Sequence, residues 1–154
     1  MDDKISIRLL DPILNFDKAI ELLEANWKET GIPIEFVASN AKTFYEYMAK
    51  LNALFSIGVF NEEELVGYCI ITMSPHPLNH SIKVCNVDGI YLIPHLRNGK
   101  IVFDMMNSVK SIAKVHKANY IQWHASVDSS FLKVLESRFT PINRYFREQL
   151  SYDE

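Results

Sequence analysis

Asp88-Gly89-Ile90-Tyr91-Leu92-Ile93-Pro94-His95-Leu96-Arg97-Asn98-Gly99-Lys100-Ile101-Val102 is the stretch that decides how this chain is read. Its first part is apolar, as a buried strand requires, and Pro94 ends it because proline has no N–H to give to a ladder. A short polar loop, Arg97 to Lys100, then opens directly into the most periodic segment of the chain. There Val102, Met105, Met106, Val109, Ile112 and Ala113 recur at i, i+3, i+4 and i+7, the stripe of an amphipathic helix packed on a core. Lys114 and Lys117 fall near its C-terminal end, where positive charge complements the helix dipole. A loop that feeds a helix in this way offers unpaired main-chain N–H groups at the positive end of the dipole, which suits an anion, and Arg97 and Lys100 add side-chain charge.

Upstream, Ile82 to Ile93 is a long apolar run broken internally by Asp88-Gly89. Before it, Phe55 to Phe60 and Leu65 to Met73 flank Asn61-Glu62-Glu63-Glu64, and a second polar connection carries Pro75, Pro77 and Asn79. Apolar runs of strand length separated by turn chemistry predict a three-stranded antiparallel meander, with the acidic cluster as a solvated turn. Nearer the N-terminus, Ile5, Ile7 and Leu9 alternate with polar residues as a half-buried strand does, and Asp11-Pro12 stops them. Phe16, Ile20, Leu23 and Trp27 then keep helical spacing until Gly31 and Pro33, and a second helix after Ser39 or Asn40 is expected to bury Phe44, Tyr47, Met48 and Leu51. Downstream, Tyr120 to His124 reads as a strand, Ser129 to Ser137 as a short helix, and Phe139 to Leu150 as one or two closing strands. The order predicts an α/β (α+β) fold: a mixed, mostly antiparallel central sheet of six to seven strands flanked by helices on both faces. Ligands of such sheets bind where strand order or direction changes.

Composition narrows the function classes. A chain of 154 residues with 48% hydrophobic content suits a single domain spanning 1–154, and no internal repeat or low-complexity linker divides it. A formal charge of −3 argues against broad attraction to nucleic acid. Residues 1–8 are charged and lack a secretory apolar stretch, and no segment approaches the roughly 20 apolar residues of a membrane span, so a cytoplasmic protein without membrane contact is expected. Cys69 and Cys85 have neither CxxC spacing nor a histidine cluster beside them, so no metal site is expected and buried free thiols are the default.

Ile90 to Val102, IYLIPHLRNGKIV, resembles the signature of the GNAT acetyltransferases, in which a strand of the form LYVxPxYR leads into a pyrophosphate loop RGxGxG/A. Asn98, Lys100 and Val102 stand where the commonest pattern has small residues, and Gly99 alone is a glycine within the loop. The order of elements from Ile5 to Leu150 is similar to that family's plan. The resemblance implies acetyl-CoA as cofactor, with Tyr91, Leu92 and Ile93 facing its pantetheine arm and Arg97, Asn98, Gly99, Lys100, Ile101 and Val102 wrapping its pyrophosphate. It implies direct transfer of acetyl to a primary amine on a small molecule or a protein, without a covalent enzyme intermediate. It also implies pairing of terminal strands in a homodimer.

Such a transfer needs a neutral amine, a polarised thioester carbonyl and a proton for the departing thiolate. Asp88 is the candidate catalytic base or water-holding residue, weighed against a bulge at Asp88-Gly89 whose carboxylate satisfies neighbouring main-chain donors. The tyrosine that many relatives use as acid would fall at Val134, which has no proton to give; Tyr145 and Tyr120 are the substitutes, with solvent water as the alternative. Where the family has an asparagine contacting the cofactor, Asp128, Ser129 or Ser130 is available. A neutral imidazole can accept a proton from an ammonium, so His76, His80, His95 and His124 are further candidates, although solvated or hydrogen-bonded histidines are the simpler reading. Trp27, Phe44, Tyr45 and Tyr47 line an acceptor groove or, more simply, pack as core. A second function stays open: a GNAT-like binding module with weakened catalysis, phage-encoded and acting on a host component.

Overall fold

The computed structural model describes residues 4–150 apart from Pro12 and Gln149. It divides into two compact units, one running to His124 and the other starting at Ala125. The first unit contains β1 (Ile5–Leu9), α1 (Phe16–Thr30), α2 (Ala38–Lys50), β2 (Leu54–Asn61), β3 (Glu64–His76), β4 (Asn79–Leu92), a 3-10 turn (Pro94–Leu96), α3 (Gly99–Val115) and β5 (Tyr120–Trp123). The strands form one sheet in the order β1-β2-β3-β4-β5. The first four are antiparallel neighbours, and β5 joins β4 in parallel after the α3 crossover.

Local chemistry sets the boundaries. The Asp11 carboxylate accepts from the N–H groups of Ile13 and Leu14, both at 2.9 Å, and so turns the chain from β1 toward α1. Gly31 ends α1 in the left-handed region (φ 64°) and its N–H returns to the Lys28 carbonyl, a position where a side chain would be strained. Two residues, Glu62 and Glu63, suffice to join β2 to β3, so the expected four-residue acidic turn is tighter than its sequence suggests.

Alternation along the strands builds a core on each face. Cys69, Ile71, Cys85, Val87 and Leu92 pack with Ile101, Met105, Val109 and Ala113 of α3. Tyr68, Ile70 and Tyr91 point the other way and pack with Phe16, Ala19 and Leu23 of α1. Met105 and Val109 are completely excluded from water, which places the hydrophobic contribution of α3 in the middle of the helix. On α2 the helical spacing was a poorer guide: Phe44, Tyr47 and Leu51 are 55%, 60% and 55% exposed, and Ala41, Tyr45, Met48 and Ala49 make the packed face instead. Periodicity identifies a stripe, but Phe44 and Tyr45 are adjacent, and which of the two faces the sheet depends on the crossing angle of the helix.

The second unit contains α4 (Ser130–Glu136), capped by the Ser129 hydroxyl, which accepts from Leu132 N–H at 3.2 Å. The closing strands expected over Phe139 to Leu150 are absent among the described residues, and the sheet has five strands rather than six or seven. Apolar residues in that segment have strand-like composition, but a strand exists only where a neighbouring edge accepts its ladder.

Candidate active site

The interruption in β4 is a β-bulge. Ile70 of β3 pairs with Gly89 and Ile71 with Val87, so Asp88 is the extra residue. One inserted residue shifts the alternation of the strand, and this is why Cys85 and Val87 before it and Leu92 after it all belong to the α3-side core while Tyr91 turns toward α1. Pairing with β5 covers only Val84 to Val87 and stops at the bulge. Beyond that point β4 continues for five residues whose β5-side edge has no paired strand among the described residues.

The ladder settles which groups lie on that open edge. Tyr91 pairs with Tyr68, and Ile93 donates its N–H to the Val66 carbonyl at 3.0 Å, so Gly89, Tyr91 and Ile93 direct their main-chain groups toward β3. Alternation turns those of Ile90 and Leu92 to the open side. Of these, the Leu92 carbonyl accepts from Arg97 Nε at 2.6 Å. Among the described residues the Ile90 N–H, the Ile90 carbonyl and the Leu92 N–H find no main-chain partner on that side. Of the residues that the sequence placed on this edge, Leu92 turns main-chain groups to it, Tyr91 and Ile93 turn theirs to β3, and Ile90 was missed, because strand parity across a bulge is not visible until the register is known.

The start of α3 is partly satisfied from within. Asn98 is its N-cap: the side-chain oxygen accepts from Ile101 N–H at 3.0 Å, and the Asn98 carbonyl accepts from Val102 N–H at 3.2 Å. Among the described residues the N–H groups of Gly99 and Lys100 have no acceptor, and these two are the unpaired donors at the start of the helix. The expected cradle from Arg97 to Val102 therefore contracts to two main-chain donors. Lys100 Nζ lies 2.9 Å from Asp104 and the side chain is 84% exposed, a pairing that solvent weakens. Asn98→Ala is expected to cost about 1 kcal/mol through the lost cap and to lower the thermal midpoint by about 2–4 °C, whereas Asn98→Asp keeps the cap and leaves the midpoint unchanged. Thermal unfolding of the two variants checks this.

Arg97 does not face that helix end. Its Nη2 lies 2.6 and 2.9 Å from the two carboxylate oxygens of Glu29, in the last turn of α1, and its guanidinium carbon is 5.3 Å from the Tyr91 ring centre. Burial first, and then the Glu29 charge, push the Tyr91 phenol above its ordinary range, so it remains protonated.

Asp88 is exposed, and Thr72 Oγ1 donates to one of its oxygens at 2.5 Å. The carboxylate is thus anchored by a β3 hydroxyl rather than by main-chain donors. Tyr45 of α2 lies within its influence: burial and then the Asp88 charge raise the Tyr45 pKa, and its ring contacts Phe16 and Phe44 at 6.5 and 5.5 Å. A small apolar cavity of about 30 Å³ under α1 and α2, lined by Phe16, Leu23, Tyr45, Leu54 and Ile70 among others, adjoins this face. The two thiols are not nucleophiles: both are fully buried, and burial pushes Cys69 strongly up and Cys85 to about 11, so neither ionises near neutral pH.

The remaining candidates are spread over both units. His76 closes the β3–β4 hairpin by accepting from Leu78 N–H at 3.1 Å, His80 follows in β4, and His95 is exposed in the 3-10 turn. His124 follows β5, and Tyr120 begins it. Trp27 donates to the Ile34 carbonyl at 2.6 Å, which ties the end of α1 to the following loop. Ser130 opens α4 and Tyr145 lies after it outside any regular element, both in the second unit; Asp128 and Ser129 precede α4, and Ser129 is committed to its cap.

Residues 18–131 match the family model described as the acetyltransferase (GNAT) family. Among curated proteins none matches this sequence. Solved structures with the same fold include a ribosomal-protein-alanine N-acetyltransferase from Brucella melitensis biovar Abortus 2308, with a TM-score of 0.72 and 16% identity over 96% of this chain and 99% of that one. A predicted acetyltransferase with acetyl-CoA from Clostridium acetobutylicum matches with a TM-score of 0.76 and 13% identity over 94% and 96% of the two chains. AAC(6')-Iy in complex with the bisubstrate analog CoA-S-monomethyl-acetylneamine matches with a TM-score of 0.73 and 15% identity over 95% and 99%. At these identities the likeness is one of fold.

Proposed function

Because the chain belongs to the acetyltransferase (GNAT) family, we propose that it moves an acetyl group from acetyl-CoA to a primary amine by direct transfer. The observation that carries this reading is the open edge of β4 beyond Val87, where Ile90 and Leu92 hold unpaired main-chain groups next to a helix start with free N–H groups at Gly99 and Lys100. An edge of alternating donor and acceptor fits the amides of a pantetheine arm, and the helix end fits a diphosphate, so the residues present suit this group. Bound there, acetyl-CoA supplies an activated thioester carbonyl.

The chain's own residues do the rest. The Ile90 N–H is the main-chain donor available to polarise the carbonyl. Asp88 takes a proton from the acceptor ammonium, while Thr72 holds one carboxylate oxygen and leaves the other for the amine. The neutral amine forms the new C–N bond as the C–S bond breaks, the acylated nitrogen gives its second proton to solvent water, and the departing thiolate takes a proton from Tyr145 or from water. Ser130 is retained as a candidate contact to the cofactor. Tyr45, protonated beside Asp88, lines the acceptor side together with α1. The acceptor class stays at a primary amine on a small molecule or a protein, and we place the reaction in the cytoplasm.

Gly99 offers a clean check on the helix end. Its backbone is not in the left-handed region, and an added Cβ would meet only Phe103 at 3.7 Å, an ordinary contact. Gly99→Ala is therefore expected to keep the thermal midpoint within about 2 °C, since alanine suits a helix. It is expected to raise the KM for acetyl-CoA roughly tenfold, because the methyl group intrudes on an anion seated against the main chain. An unchanged KM would remove the diphosphate from this position.

A second reading has a specific observation behind it: Asn98 already satisfies Ile101 N–H, and Glu29 already neutralises Arg97, so the anion grip is weaker than the family motif implies. On that reading the protein is a binding module without turnover. Calorimetry with acetyl-CoA, followed by thiol release across a panel of primary amines, separates the two. Absence of binding removes the enzyme reading, binding without thiol release favours the module, and binding with release supports transfer.

A further inference from the structure

We propose that Arg97 is a positioning residue, joined with Glu29 in a strut that holds the end of β4 to the last turn of α1, and that it acts on a bound pantetheine arm through Leu92 rather than on the diphosphate. The inference rests on the reading of the β4 edge given above.

Three contacts fix the guanidinium. Nε donates to the Leu92 carbonyl at 2.6 Å, Nη2 reaches both oxygens of Glu29 at 2.6 and 2.9 Å, and the planar group lies 5.3 Å from the Tyr91 ring centre. Its contacts are with Tyr91 and Glu29 of the α1-side layer, whereas the free N–H groups of α3 belong to the layer on the opposite face. The Leu92 carbonyl and the Ile93 N–H are the two ends of one peptide plane. Arg97 holds the first, and the Val66 carbonyl holds the second at 3.0 Å. A planar peptide bonded at both ends cannot rotate, so the preceding Leu92 N–H is kept aimed at the open edge.

The charge balance points the same way. Glu29 neutralises Arg97 at short range in a pair that is two-thirds shielded on the arginine side, so the cation closest to the motif in sequence adds little positive field toward an anion. Among the described residues, Lys100, exposed and paired with Asp104 one turn along α3, is the loop cation left to answer a phosphate. The bridge also needs a fork. Lysine presents a point charge and cannot serve the Leu92 carbonyl and the Glu29 carboxylate together in this geometry.

The test compares acetyl-CoA with S-acetyl-pantetheine, which lacks the diphosphate and the nucleotide, as donors for the wild-type protein, Arg97→Lys and Glu29→Gln. The strut predicts that both substitutions raise KM for both donors by the same factor, roughly tenfold for a lost charge-assisted hydrogen bond, with kcat within about twofold. Glu29 is partly exposed at a helix end, so Glu29→Gln remains informative if Arg97→Lys lowers the thermal midpoint. An Arg97→Lys defect confined to acetyl-CoA overturns the proposal, as does a Glu29→Gln protein that takes acetyl-CoA more tightly, because either result means that Arg97 grips the phosphates. Failure of the wild-type protein to use or bind either donor instead overturns the underlying reading of the β4 edge.

Discussion

Asp88→Asn is expected to lower kcat for amine acetylation by roughly 10²–10⁴-fold, the range for loss of a general base, while KM for acetyl-CoA stays within about twofold. The substitution is nearly isosteric. The carboxamide oxygen of the introduced asparagine can still accept from the Thr72 hydroxyl, so the bulge that shapes the end of β4 keeps its side-chain anchor. What is lost is the capacity to accept a proton from the ammonium. The structural alternative, in which the carboxylate merely fastens the bulge to β3, predicts a different split: kcat within a few-fold of wild type and any loss confined to stability. Thr72→Val completes the comparison, because it removes the anchor and keeps the carboxylate. A Thr72→Val protein that loses stability while an Asp88→Asn protein keeps full kcat would assign Asp88 to the fold and leave the amine to lose its proton to water. Neighbouring groups do not substitute for it: Tyr45 is raised by burial and by Asp88 itself, and the Cys85 thiol stands at about 11, so neither offers a base near neutral pH.

How far the sequence reaches follows from which interactions are local. The strands from Leu54 to Leu92 and helix α3 were legible because burial on a fixed face imposes a period, and Met105, Val109 and Ala113 keep that period without interruption. The bulge was legible for a related reason: Asp88-Gly89 breaks an apolar run in which an uninterrupted strand would have no use for a charge. The direction of the main-chain groups was not, since it depends on pairing Tyr91 with Tyr68 and Ile93 with Val66, partners more than twenty residues away. Asn98 was assigned to the pyrophosphate by its place in the family loop, and what the structure contains there is a helix cap, its side-chain oxygen accepting from Ile101 N–H. Arg97 was assigned to the loop by its position in the motif, but its partner Glu29 lies 68 residues earlier and no local pattern links the two. Among the described residues of Phe139 to Leu150 no strand forms, for the same non-local reason: composition cannot supply the edge a strand must pair with.

Gly67→Ala is expected to damage stability and cofactor binding together, which follows from how closely β3 and β4 approach at the end of the open edge. A Cβ on Gly67 would lie 2.7 Å from the Tyr91 carbonyl oxygen, 2.9 Å from Leu92 Cδ1 and 3.3 Å from Leu92 Cα. Two of these three neighbours are main-chain atoms that no rotamer change can move, so the strands must part by several tenths of an ångström. Overpacking of this kind costs about 1–3 kcal/mol, or roughly 3–10 °C in thermal midpoint for a chain of this size. The displaced residues are Tyr91 and Leu92, so the same shift tilts the Leu92 peptide away from the Arg97 and Val66 contacts that aim it, and KM for acetyl-CoA is expected to rise by more than tenfold. Gly89→Ala is the control within the same hairpin. Its Cβ would meet only the ends of Tyr68 and Ile70 side chains, at 3.6 and 3.9 Å, and the midpoint should move by less than about 2 °C. If the two glycine variants unfold at the same temperature and bind the donor alike, the spacing between β3 and β4 is soft, and a soft edge could not hold Ile90 and Leu92 in one direction for an incoming amide chain.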